Sequence, residues 1–165
     1  MADLITHACT ALLAKAPYRR PIHVATFVAG TCLPDLIGRV PAMALTKLRY
    51  SLPAIPEAFV YPWNVVHMPF GLLCTAYLVT FIFREGDRPP VFRNLVGGGL
   101  LHLAVDLLQF HFGVGYLLLF PFSTWDYEIG CIGSEDTVRI APVLAPFTAL
   151  VCWLRWRSSE RDLVG

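Results

Sequence analysis

Four long apolar stretches leave this chain few ways to fold. Ile22–Gly38 is broken near its end by Pro34 and Asp35, and Val65–Phe83 is broken near its start by His67 and Pro69. Asn94–Gln109 is apolar apart from His102 and Asp106 and runs on into Gly115–Phe122. Thr137–Trp156 carries Pro142 and Pro146 inside it. Each approaches the roughly 20 apolar residues that a membrane-spanning helix needs. A chain of 165 residues that is 56% hydrophobic and only 15% charged cannot bury that much apolar surface in water. Lipid is the simplest solvent for it. The expected fold class is therefore all-α, a polytopic membrane helical bundle forming one domain over residues 1–165. It would hold about four transmembrane helices plus a short N-terminal helix over Leu4–Ala16 that stops at Pro17.

The expected loops are Pro17–Pro21, Arg39–Trp63, Arg84–Arg93 and His111–Asp136, the second proline-rich with a short helix around Ala42–Arg49. Arg19 and Arg20, then Arg84, Arg88 and Arg93, then Arg155, Arg157 and Arg161 fall on one side of such a bundle. Arg39, Lys47, Arg49 and Arg139 fall on the other, where His111–Asp136 is acidic. The positive-inside rule then places the C-terminus in the cytoplasm. The N-terminus lies outside if Leu4–Ala16 enters from the opposite face. Trp63, Trp125, Trp153, Trp156 and Tyr127 read as interfacial belt aromatics. A net charge of +1 gives no sign of a nucleic-acid partner. Cys9, Cys32, Cys74, Cys131 and Cys152 form no CxxC pair, so neither a disulfide framework nor a thiolate zinc motif is visible. Gly97-Gly98-Gly99 sits inside an apolar stretch and reads as close helix packing rather than a phosphate loop.

Ionisable residues inside apolar spans are costly, which makes them functional candidates. Here they are His7, Asp35, His67, His102 and Asp106, with His23 and His111 at span ends. At about 1.5 Å per residue, Asp35 lies about 22 Å beyond Arg20, Asp106 about 20 Å beyond Arg93, and His67 about 25 Å before Arg84. His7 lies about 18 Å before Arg19, and His102 one turn from Asp106. Four segments thus aim imidazole or carboxylate groups at one level, away from the arginine-rich loops. His102 and Asp106 share a helix face at i and i+4 and can reach one ion. They can equally form a His–Asp pair that ties helices together. Asp35 also reads as a helix-ending carboxylate, His67 as an interface histidine and His7 as a cap-region residue.

Thr6-His7, Leu33-Pro34-Asp35, His67 followed by Pro69 and Gly71, His102-x-x-x-Asp106, and Phe120-Pro121-Phe122-Ser123 occur in this order. As a set, from residue 6 to about residue 125, the chain resembles the membrane-bound metal-dependent hydrolases, which include LexA-binding proteins of the bacterial inner membrane. The resemblance implies that His7, Asp35, His67, His102 and Asp106 bind one or two divalent ions, zinc first, with manganese or iron as alternatives. It implies a metal-activated water, with Asp35 or Asp106 as the catalytic carboxylate that orients it or takes its proton. It also implies a lipid-linked ester or phosphoester as substrate and membrane lipid as partner. A second reading is a non-catalytic subunit of a larger membrane complex, with protein partners and a structural His/Asp cluster. A third is a small transporter or proton relay, which the lack of an inverted repeat disfavours.

Overall fold

Prolines decide where most helices begin, because a fixed φ and a missing N–H are accommodated in a helix's first turn and costly deeper in. In the computed structural model, which describes residues 4–15, 21–52, 56, 59, 63, 65–110 and 115–164, nearly every such proline starts an element. After α1 (Leu4–Lys15), Pro21 opens α2 (Pro21–Leu33). Pro34 opens a π-helical segment, Pro34–Arg39, and Pro41 lies in the first turn of α3 (Val40–Ser51), so the three run as one continuous helical path. Pro69 opens α4 (Pro69–Thr80). A 3-10 turn, Glu85–Asp87, leads into α5 (Arg88–Leu107), with Pro89 and Pro90 in its first turn. Two short parallel strands, β1 (Gln109–Phe110) and β2 (Ile132–Gly133), pair Gln109 with Ile132. α6 (Ser134–Val164) closes the chain and is exceptional in keeping Pro142 and Pro146 in its interior.

The expectation of about four spanning helices is overturned. Among the described residues only one helix is long and apolar enough to cross a membrane, over Asp136–Ser158 within α6. The apolar stretches are long, but the helices inside them are cut short. α4 starts only at Pro69 and gives way to turns at Phe81–Phe83, so it measures about 18 Å against a hydrocarbon core of about 30 Å. α2 yields to the π segment after about 20 Å. α5 is longer but carries Arg88, Arg93 and Asp106. Within the expected loop Arg39–Trp63, the short helix expected around Ala42–Arg49 is present as α3 (Val40–Ser51). Pro17, Arg19, Arg20 and His111 lie outside the described residues.

The interior is unusually polar. The largest fully buried side chains are His7, His102, Gln109, Thr31 and Asp106. Among the described residues the larger buried apolar side chains gather in two small clusters, Leu72–Leu103–Tyr116 and Ala76–Val91–Leu95, with small residues such as Cys9, Ala11, Ala42 and Ala141 buried elsewhere. Large apolar groups such as Tyr77, Leu78, Phe81 and Ile82 face outward instead. Buried polar groups and exposed large apolar groups are the two observations about burial that carry information.

What lets the polar interior form is the packing of α2 on α5. A Cβ at Gly98 would fall on the Phe27 carbonyl oxygen and lie 2.8 Å from the Thr31 nitrogen. Backbone therefore meets backbone, in agreement with the close-packing expectation for the glycine run. α1 lies against both α2 and α6, so that its His7 reaches the same level.

Candidate metal centre

Each member of the candidate set arrives by a different local device. His7 sits one turn into α1 and is 0% exposed. Asp35 is the second residue of the π segment, where the wider helical register re-aims a side chain; π-bulges recur at functional sites for this reason. His67 lies in the turn before α4, held against the π segment: a Cβ at Gly38 would come within 2.9 Å of its Nδ1 and 2.7 Å of the Trp63 carbonyl. His102 and Asp106 share the inner face of α5, as their i, i+4 spacing requires.

All five meet in one place. His7 Nε2 lies 3.1 Å from Asp106 Oδ1 and 3.7 Å from Asp35 Oδ2. His67 Nε2 is 3.2 Å from Asp35 Oδ1, and His102 Nε2 is 3.4 Å from Asp106 Oδ2. The rings of His7 and His102 stack with centroids 4.0 Å apart, and His67 tilts against His102 at 5.1 Å. Two buried groups, His7–Asp35–His102 and His67–His102–Asp106, each place their ligand atoms within 4.8 Å of one another. Buried His/Asp groups of this kind could hold a metal ion. His23, by contrast, lies apart: its Nδ1 accepts from Asn94 Nδ2 at 2.9 Å.

His102 is common to both groups, and its hydrogen bonding decides what its inner nitrogen can do. Its Nδ1 is 2.8 Å from the Thr31 carbonyl oxygen. A carbonyl can only accept, so Nδ1 carries the proton and donates. In the neutral ring Nε2 is then a lone pair, oriented by the outer bond as metal-binding histidines are. Nε2 is buried, has no hydrogen-bond partner among the described residues, and faces a carboxylate oxygen. Two acceptors face each other, so the arrangement calls for a cation or a proton between them. Among the described residues both ring nitrogens of His7 are likewise buried without a well-aligned hydrogen bond, although Nε2 lies 3.1 Å from Asp106 Oδ1. Orphaned inner nitrogens beside two carboxylates fit a divalent ion of intermediate softness.

Three further groups complete the site. Besides the Thr31 carbonyl, Gln109 Nε2 donates to Asp106 Oδ1 at 3.0 Å and the Tyr116 hydroxyl donates to Asp106 Oδ2 at 2.5 Å. Gln109, three residues beyond Asp106, was within reach of the spacing rule for helical neighbours. Nothing local in the sequence points to Tyr116, which lies beyond the end of α5.

Electrostatics favour ionised carboxylates. Burial pushes the Asp106 carboxyl up, but His102 and His7, when a proton sits on the nitrogen that faces it, outweigh burial and hold it well below the usual carboxylate range. At Asp35 burial is likewise outweighed, by His67 foremost, with His102 and His7 adding to it. Burial and the neighbouring Asp106 push the Tyr116 phenol up, so it stays a hydrogen donor. The cluster opens on one side only: Asp35 and His67 keep 8% and 7% of their surface, whereas His7, His102 and Asp106 keep 1% or less.

Comparison with protein-family models, with curated proteins and with solved structures finds no match. The reading of this centre therefore rests on its own chemistry.

Proposed function

We propose that this chain is a membrane-associated, metal-dependent hydrolase acting on a lipid-linked ester or phosphoester, like the family its motifs resemble. One observation carries the metal: the buried His102 Nε2, a lone pair directed at a carboxylate by the bond its Nδ1 makes to Thr31. His7, Asp35, His67, His102 and Asp106 would hold the ion, zinc first by donor type, with manganese or iron as alternatives. A bound divalent ion would acidify water toward neutrality and polarise an ester oxygen.

The two carboxylates differ in their freedom. Asp106 is buried and both of its oxygens accept from neighbouring donors, so it serves to hold. Asp35 is on the more open side, and the ion-pair contact of its Oδ2 among the described residues is a long one, to His7 Nε2 at 3.7 Å. Asp35 is the group placed to orient an incoming water and take its proton.

The test is hydrolysis of short-chain ester and phosphodiester probes by detergent-purified protein. Activity should vanish on chelation and return with zinc or manganese. Activity that ignores chelators would refute the metal mechanism.

A second reading has its own support. The His7–Asp106 and His67–Asp35 pairs are close enough, at 3.1 Å and 3.2 Å, to be held by protons alone. The cluster would then be structural, in a non-catalytic subunit. Metal-free protein that purifies with fixed partners would favour that reading.

Membrane association is supported by the apolar exterior and by the Asp136–Ser158 segment of α6, whose Arg155–Arg157 end would face the cytoplasm. Phe147 lies at the middle of that segment and is exposed. Phe147→Arg should cost about 3–4 kcal/mol of insertion. The carbonate-resistant membrane fraction should fall accordingly. Wild-type protein recovered in the carbonate supernatant would dispose of the membrane assignment.

A further inference from the structure

We propose that Tyr116 and Gln109 are positioning residues of the ion site, which clamp Asp106 so that only its inward lone pairs remain for an ion. The inference rests on reading the His/Asp cluster as that site. An ionised carboxylate has two oxygens and about four lone-pair positions. Gln109 Nε2 occupies one on Oδ1 and the Tyr116 hydroxyl one on Oδ2. What is left on Oδ1 faces His7 Nε2 at 3.1 Å, and what is left on Oδ2 faces His102 Nε2 at 3.4 Å. The terminal torsion of an aspartate is otherwise broad. Two donors, one per oxygen, remove that freedom on a residue that is 1% exposed.

The backbone delivers both donors rigidly. Gln109 lies in β1 and is paired with Ile132 of β2, immediately before α6. Tyr116 exchanges two backbone hydrogen bonds with Tyr127, both 3.0 Å, and its side chain packs on Leu72 and Leu103. Ile129 and Cys131 donate to the Leu107 and Leu108 carbonyls at 2.8 Å, anchoring residues 115–133 to the end of α5. The segment after α5 thus folds back over the helix end that carries Asp106 and brings the clamp with it.

The experiment compares wild type, Tyr116→Phe and Gln109→Glu in zinc competition against a chromophoric chelator, and in the visible spectrum of the cobalt-loaded protein. Loss of an outer partner of a metal ligand typically weakens binding about 10- to 100-fold. Tyr116→Phe should fall in that range. Gln109→Glu, which sets a carboxylate against Asp106, should lose more. Both should shift the cobalt bands while helix content by circular dichroism is unchanged. Phe122→Ala, which removes an exposed ring from the same segment, should leave affinity and spectrum as in wild type. If Gln109→Glu does not fold, Tyr116→Phe decides the matter alone. Wild-type affinity and spectrum in Tyr116→Phe would overturn the clamp and leave the ion site standing. Wild-type protein that takes up no zinc would overturn the ion site itself, and the clamp with it.

Discussion

Replacing His102 with alanine should abolish stoichiometric ion uptake while the helices still form. His102 belongs to both ligand groups found among the described residues, so neither survives its loss. The loss should exceed the roughly 10- to 100-fold that removal of an outer partner costs, because a direct ligand disappears. The structural cost is of comparable size, because a fully buried ring is removed and leaves a cavity. The Thr31 carbonyl loses its buried donor, worth about 1–3 kcal/mol. His102→Gln, which keeps bulk and a donor but no imidazole lone pair, should also fail to hold the ion. Metal content by mass spectrometry and far-ultraviolet circular dichroism on the same samples separate ligation from folding. A chelator should lower the melting temperature of wild type, since an ion at 100 times its Kd stabilises by about 2.7 kcal/mol. The same chelator should not move His102→Ala. An unaltered ion content in His102→Ala would place the ion elsewhere in the molecule.

Why the candidate set could be read from the sequence, while the number of spanning helices could not, has a physical basis. Counting residues from the arginine-rich loops uses only the rise of a helix, which holds whether or not the helix crosses lipid. His7, Asp35, His67, His102 and Asp106 fall at one level by that count, and they meet in the structure. Helix length is a different matter, because apolar composition does not say where a helix stops. Pro69, the π segment after Leu33, and the turns at Phe81–Phe83 do, and they divide the apolar stretches into pieces too short to span. Thr31 could not be found at all from its side chain, since it acts through a backbone carbonyl whose availability depends on how α2 meets α5. Tyr116 is brought to Asp106 by strand pairing and chain reversal, which leave no periodic trace. The five candidate ligands were legible as chemistry; the groups that orient them belong to the tertiary structure.

Gly98→Ala should destabilise the protein, against the ordinary trend. Within a helix, alanine is favoured over glycine by about 1 kcal/mol. Here the added methyl would meet backbone, the Phe27 carbonyl oxygen and the Thr31 nitrogen, with Thr31 Oγ1 3.0 Å away. Neither backbone atom can rotate aside, so α2 and α5 must separate. Overpacking of this kind typically costs about 1–3 kcal/mol, enough to reverse the sign expected from propensity. The consequence reaches the ion. Thr31 is the residue whose carbonyl accepts from His102 Nδ1, so a displaced α2 stretches the bond that directs His102 Nε2 inward. Lower melting temperature and weaker zinc binding should therefore appear together in Gly98→Ala. Gly86→Ala, where an added Cβ meets nothing within 4 Å, should change neither. A Gly98→Ala protein that melts at or above the wild-type temperature would mean that α2 and α5 do not approach backbone to backbone. The orientation of His102 would then need another origin.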